Sequence, residues 1–187
     1  AVAPDVSAGE LAVRLAAPDV AAATLADARE GWRRRLAEHR VATPEPTLNP
    51  LVNDWARYQA ISARLWGRCG YYQQSGAYGF RDQLQDGQVW LTIEPERCRR
   101  QVALHAAHQF ADGSVYHWWH PLSEQGHVTR MTDDLLWLAF VTLAYVKETG
   151  DLTILGDAVR FLDDAHPATL REHVHRAFTR VFTRTSP

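Results

Sequence analysis

The chain has 187 residues, 46% of them hydrophobic and 22% charged, with a formal net charge of −2. That suffices for one folded domain with a real core and lacks the low-hydrophobicity, high-charge signature of disorder. Near-neutral charge excludes a strong field toward nucleic acid or an anionic membrane, and the longest apolar run, Leu135 to Val146, is too short to span a bilayer.

Residues 1–18 are rich in alanine and carry Pro4 and Pro18, a lead-in segment without a clear helical pattern. Asp19 is placed to cap a helix reaching about His39, with Leu25, Ala28, Trp32 and Leu36 forming an apolar stripe. Arg29, Arg33, Arg34, Arg35 and Arg40 make its other side a solvated basic face. Pro44 and Pro46 mark a linker, so the expected organisation is 1–48, a lead-in segment and linker helix, and 49–187, the main domain. Asn49 and Pro50 have the N-cap and first-turn chemistry of a second helix, with Leu51, Trp55, Tyr58 and Leu65 on one face.

Gly67, Gly70, Gly76 and Gly79 punctuate a tyrosine-rich loop, and a short helix is expected over Phe80–Leu91. Pro95 opens another, to about Phe110, before a long connection over 111–130. Thr132 or Asp133 then caps a helix to Thr149, which Gly150 stops; its apolar surface on all sides predicts burial on most of them. Further helices are expected near 152–163 and from Pro167, the latter turning Leu170, Val174, Ala177 and Val181 inward. The expectation is an all-α fold of about seven helices with no clear strand.

Two cysteines, Cys69 and Cys98, lack CxxC or zinc-ribbon spacing and read as reduced core residues, which makes a cytoplasmic setting the default. Ala1 reads as a cut end, since the one methionine is Met131. Nine histidines include His105 with His108 and His117 with His120, but none forms HExxH or implies a third ligand. No nucleophile elbow, P-loop or dinucleotide fingerprint occurs.

The stretch Trp66 to Asp86, WGRCGYYQQSGAYGFRDQLQD, combines aromatic rings, amides, an arginine and two carboxylates. Sugars need that mixture: C–H faces stack on aromatic rings while hydroxyls need forked donors and acceptors. Asp82 and Asp86 fall at i and i+4, on one helix face. The competing reading makes Arg81 and Asp82 ordinary helix-end charges. Tyr116 to Pro121, YHWWHP, and Thr129 to Asp134, TRMTDD, supply further aromatic and charged groups; Asp133 and Asp134 also suit the first turn of a helix.

The first of these stretches, followed in order by RQVALHAAHQF (100–110), HWWHP (117–121) and TRMTDDLLWL (129–138), resembles glycoside hydrolase family 94, formerly glycosyltransferase family 36. The resemblance spans about residues 20 to 185 and is nearest to β-1,2-oligoglucan phosphorylases and the C-terminal phosphorylase-like region of cyclic β-1,2-glucan synthases. It implies an (α/α)6 barrel, here an incomplete one, and inverting phosphorolysis of a β-glucosidic bond with inorganic phosphate as co-substrate and no cofactor or metal. It further implies that Arg81, Asp82, Gln85 and Asp86 line the pocket for the non-reducing-end glucose, with Trp118, Trp119, His120, Arg130, Asp133 and Asp134 shaping the cleft. The family's general acid lies in a GDWNDG-type motif, and none occurs in these 187 residues; Cys69 stands where serine is usual. The resemblance therefore assigns no catalytic residue to the chain. It leads us to expect an inactive piece of an enzyme whose remaining chain closes the barrel, located in the cytoplasm or at the inner membrane if the parent is a glucan synthase. The alternative is a non-catalytic carbohydrate-binding or interaction remnant. An open part-barrel would also expose apolar helix faces and dissolve poorly.

Overall fold

The computed structural model describes residues 7–67 and 76–183. Cys69 and the glycine–tyrosine run between Arg68 and Ser75 lie outside the described residues. Of the described residues 64% are helical, as expected of an incomplete all-α barrel. None of their helices is long and apolar enough to cross a membrane. The chain divides into two compact units, 1–56 and 57–187.

In the first unit, α1 (Ala8–Ala16) begins in a capping box between Ser7 and Glu10, which turns the expected lead-in segment into a helix. Helix α2 (Pro18–Ala37) starts on Ala17 with Pro18 in its first turn, so Asp19 is a first-turn acid, not the cap. No residue of α2 is buried, and Leu25, Ala28, Trp32 and Leu36 line an open groove. After the linker come α3 (Leu48–Pro50) and a π-helical stretch, Leu51–Trp55. Asn49 does not cap: its side chain accepts from the Thr43 amide, and Asn53 pairs in both directions with the Val41 backbone. These bonds, with the Arg40–Asp54 ion pair at 2.6 Å, fold residues 49–54 back onto the linker.

Helix α4 (Ala56–Tyr58) and a second π-helical stretch, Gln59–Trp66, follow. The stripe expected from a 3.6-residue period fails here: Leu51, Trp55 and Tyr58 are exposed, while Ile61 and Leu65 are buried. A π turn closes its hydrogen bonds one residue later, which rotates each face away from the α register.

The second unit is built on α5 (Phe80–Gly87), α6 (Pro95–Ala106), α7 (Thr132–Thr149) and α8 (Leu170–Thr183). Their contact surfaces form the core, with Phe80, Leu84, Val102, Leu135, Leu138 and Leu170 all at most 1% exposed. Five short strands add two small antiparallel sheets that the sequence pattern did not reveal. One runs β1 (Tyr78–Gly79), β2 (Tyr116–His120), β3 (Gln125–Val128); the other pairs β4 (Ala158–Phe161) with β5 (Asp164–Thr169). The helix expected at 152–163 is instead a 3-10 turn, Leu152–Gly156, followed by β4. Pro167 lies in β5, paired with Arg160, and α8 starts at Leu170.

Helix α7 ends as expected at Gly150, whose φ of 71° is left-handed and suits glycine. It is only partly covered: Leu135, Leu138, Val141 and Tyr145 are buried, while Phe140 and Leu143 are more than half exposed. Cys98 is a free, fully buried thiol, and burial pushes its pKa up to about 12.

Candidate functional site

The site is organised around α5. Gly79 precedes it in β1, where it pairs with Trp118 of β2. A Cβ at Gly79 would collide with the Asp82 carboxylate, so the absence of a side chain lets Asp82 fold back over the strand. Asp82 and Asp86 lie one turn apart, and Arg64 reaches both: Nη2 donates to Asp82 Oδ1 at 3.3 Å and Nε to Asp86 Oδ2 at 2.8 Å. Gln83, buried on the next face of α5, donates to the Arg64 carbonyl at 2.8 Å and fixes that backbone. Asp82 Oδ2 receives no hydrogen bond from any described residue.

Arg81, on the exposed side of α5, donates from Nη1 to Asp133 Oδ2 in the first turn of α7 at 2.8 Å. That hydrogen bond holds the Asp133 carboxyl below its ordinary range. Its neighbour Asp134 has the opposite environment. Its side chain is 3% exposed, burial raises its pKa, and its Oδ2 meets Nδ1 of His117 on β2 at 2.7 Å. Neither acid is the N-cap of α7, a place Met131 takes without a side-chain bond; both stand in its first turn, where negative charge suits the helix N-terminus.

The ten residues expected in the cleft therefore separate. Arg81, Asp82, Asp86, Asp133 and Asp134 are drawn together through α5 and α7. Gln85 and Arg130 are exposed, at positions where a ligand could reach them. Trp118 is 37% exposed, with His120 edge-on at 5.4 Å and His127 stacked at 5.8 Å. Trp119 is a correction: it is 1% exposed and stacks on His108 at 4.0 Å, with Phe80 and His105 edge-on, so it supports the site from the core and cannot touch a ligand in this structure. Successive strand residues face opposite sides, so one tryptophan of the pair had to point inward.

Arg64 and His117 are the site members that sequence spacing did not single out as sugar-facing. Arg64 lies on a different helix from the carboxylates, 18 and 22 positions away. Among the described residues no group of three histidine, cysteine, aspartate or glutamate side chains is placed to hold a metal ion.

The cluster offers carboxylate oxygens, a guanidinium and an exposed indole within one region. This is hydroxyl-binding and ring-stacking chemistry. Asp134, whose carboxyl pKa burial raises, is enclosed and occupied with His117.

Residues 31–185 match the family described as Glycosyl hydrolase 94 superfamily, catalytic domain. The chain is 40% identical over 156 residues to the cyclic beta-(1,2)-glucan synthase NdvB of Rhizobium meliloti (strain 1021), an alignment covering 83% of this chain and 5% of that protein. It is 31% identical over 134 residues to a solabiose phosphorylase of Paenibacillus borealis, covering 72% of this chain and 16% of the relative. It is 25% identical over 183 residues to an N,N'-diacetylchitobiose phosphorylase of Vibrio furnissii, covering 83% and 23% respectively. The chain thus spans less than a quarter of the length of each.

Proposed function

The chain belongs to the glycosyl hydrolase 94 superfamily, catalytic domain, and from that premise we propose that it is the sugar-holding part of an inverting β-glucoside phosphorylase or glucan-synthase domain, of the β-1,2-glucan type. The observation that carries the reading is the Arg64-clamped pair Asp82 and Asp86. One carboxylate oxygen, Asp82 Oδ2, is left for an outside donor, and the ladder partner of Gly79 is the exposed Trp118. In this reading Arg81, Asp82, Gln85 and Asp86 bind the hydroxyls of the terminal glucose. Trp118, His120 and Arg130 shape the approach to it, and Asp133 and Asp134 hold Arg81 and His117 in place.

The reaction is a single displacement. A phosphate oxygen bonds to the anomeric carbon as the glycosidic C–O bond breaks, and a carboxylic acid protonates the departing oxygen. Phosphate is a co-substrate, and no further cofactor is invoked. The 187 residues contain no GDWNDG-type sequence, so the reading assigns binding to them and leaves the proton donor to a segment not present here. The test is to incubate the chain with phosphate and sophorose-type oligosaccharides and to assay glucose 1-phosphate. No turnover is expected; clear turnover would show that an acid within these residues does the chemistry. The same missing acid favours one alternative, a carbohydrate-binding remnant without catalysis, which predicts that adding the remaining barrel segments in trans also gives no glucose 1-phosphate.

A further inference from the structure

A cavity of about 230 Å³ lies in the same unit and takes in none of the residues proposed above to bind sugar, sharing only Gln83 with their support. Its walls are Trp66, Tyr78 and Trp90, contributed by the second π-helical stretch, β1 and a 3-10 turn after α5, Gln88–Trp90. The Trp66 and Trp90 rings are tilted 35° to each other with centroids 6.1 Å apart, and Trp66 is 49% exposed while Trp90 is 3% exposed. Trp66 is therefore the open ring of the pair, and Trp90 backs it from the core.

The polar groups come from α6 and α5. Gln101 Nε2 donates to Gln83 Oε1 at 3.0 Å, and Gln83 Nε2 is spent on the Arg64 carbonyl. Gln101 Oε1 accepts no hydrogen bond from any described residue, so the amide pair ends in an open acceptor. Two guanidiniums also line the cavity. Arg97 is occupied: it lies over the Trp90 ring at 5.0 Å and pairs with Glu94. Arg100 is exposed and has no carboxylate partner among the described residues.

We propose that this cavity is a separate binding site for a hexose carrying an anionic group, a phosphate or a carboxylate. The pyranose face lies against the exposed Trp66 ring, a hydroxyl donates to Gln101 Oε1, and the anion pairs with Arg100. Each element of the cavity matches one element of that ligand: aromatic rings for the C–H face, an amide acceptor for a hydroxyl, an unpaired guanidinium for an anion. A volume of about 230 Å³ admits one sugar ring. The lining carries two arginines and no carboxylate, with Glu94 pairing Arg97 from outside it, which disfavours a cationic ligand.

The experiment follows the indole N–H signals of the full chain by NMR, with Trp66 and Trp90 assigned through Trp66→Phe and Trp90→Phe. The probes are glucose 6-phosphate, glucuronate, glucose and inorganic phosphate. Both anionic hexoses are expected to shift the Trp66 and Trp90 signals saturably. Glucose and phosphate alone are expected to bind at least about tenfold more weakly, the loss of one charge-assisted hydrogen bond or of the ring contact. Arg100→Ala, which breaks no pair in the fold, is expected to weaken the anionic hexoses by about tenfold and leave glucose unchanged. Failure of both anionic hexoses to shift either indole overturns the proposal, as does an unchanged affinity in Arg100→Ala. Inorganic phosphate binding as tightly as glucose 6-phosphate would show an adventitious ion only. Asp82→Asn separates this site from the one proposed above: unchanged binding in that variant supports a distinct cavity, and lost binding places the ligand at the α5 carboxylates instead.

Discussion

Two arginines in residues 57–187 each grip a pair of carboxylates, and they differ in what is left over. Arg99, on α6, donates to Asp157 at 2.8 and 2.5 Å, to Asp151 at 2.9 Å and to the Thr153 hydroxyl. Asp151 in turn accepts from the Thr153 amide and hydroxyl and from the Tyr145 hydroxyl. All four acid oxygens there are spent on protein, and the cluster ties the 3-10 turn after α7 to α6. Arg64 also holds two acids, but Asp82 keeps an oxygen that no described residue uses, beside a glycine and an exposed tryptophan. The first arrangement is a staple; the second holds charges ready. Ion pairing alone does not mark a site, since structural ion-pair networks look alike from one contact.

The largest expected effect is on the staple. Arg99→Ala removes a guanidinium whose side chain is only 23% exposed and strands two acids, at a cost of about 2 kcal/mol in urea unfolding. A loss below about 0.5 kcal/mol would put Arg99 among ordinary surface pairs. Asp82→Asn and Asp86→Asn should each cost about 1 kcal/mol or less, since Arg64 is itself about a third exposed, yet weaken gluco-oligosaccharide binding about tenfold. Equal stability losses at Arg99 and at the α5 acids would erase the distinction.

Gly79→Ala sharpens it further. The added Cβ must push the Asp82 carboxylate aside, and because that group is the movable end of a side chain, the fold should survive while sugar affinity falls. Circular dichroism melting and calorimetry on one preparation separate the two effects.

Acid titration distinguishes the clusters by sign. Asp151 is held below the usual carboxylate range, first by the Thr153 hydroxyl, with Tyr145 and Arg99 adding to it. Its stabilisation is present above an unfolded value of about 3.9 and is lost as pH falls through the lower folded value. The stability gap between wild type and Arg99→Ala should therefore narrow below about pH 4. Asp134 is raised by burial, so its contribution is present below about 3.9 and lost as pH rises through the folded value. Asp134→Asn should accordingly gain on wild type as pH rises from acid to neutral in parallel melts. The smallest effect is at Cys98, whose buried thiol should resist alkylation in the native chain and react only on unfolding.

What could be read in advance followed the range of the signal. Gly150 and Pro95 act locally, and the helix ends they mark appear as expected, whereas the apolar run of α7 is covered on one side only, with Phe140 and Leu143 exposed. The i, i+4 spacing placed Asp82 and Asp86 on one face because a single helix carries both. Arg64 and His117 were not legible as members of the site, since their partners are 17 or more positions away and only packing brings them together. The π-helical turns shifted a face that α periodicity could not locate. The strand containing Trp118 and Trp119 hid which indole faces out, and β4 was hidden because Ile154, Ala158 and Phe161 fall at helical spacing although the chain turns into a strand there.

The most direct test of the central claim, that the α5 carboxylates hold a sugar, is isothermal titration of the whole chain with a β-1,2-linked gluco-oligosaccharide, wild type beside Asp82→Asn. Saturable heat at millimolar ligand that falls about tenfold in the variant is the predicted result. Undiminished heat in Asp82→Asn, or none in the folded wild type, would contradict it.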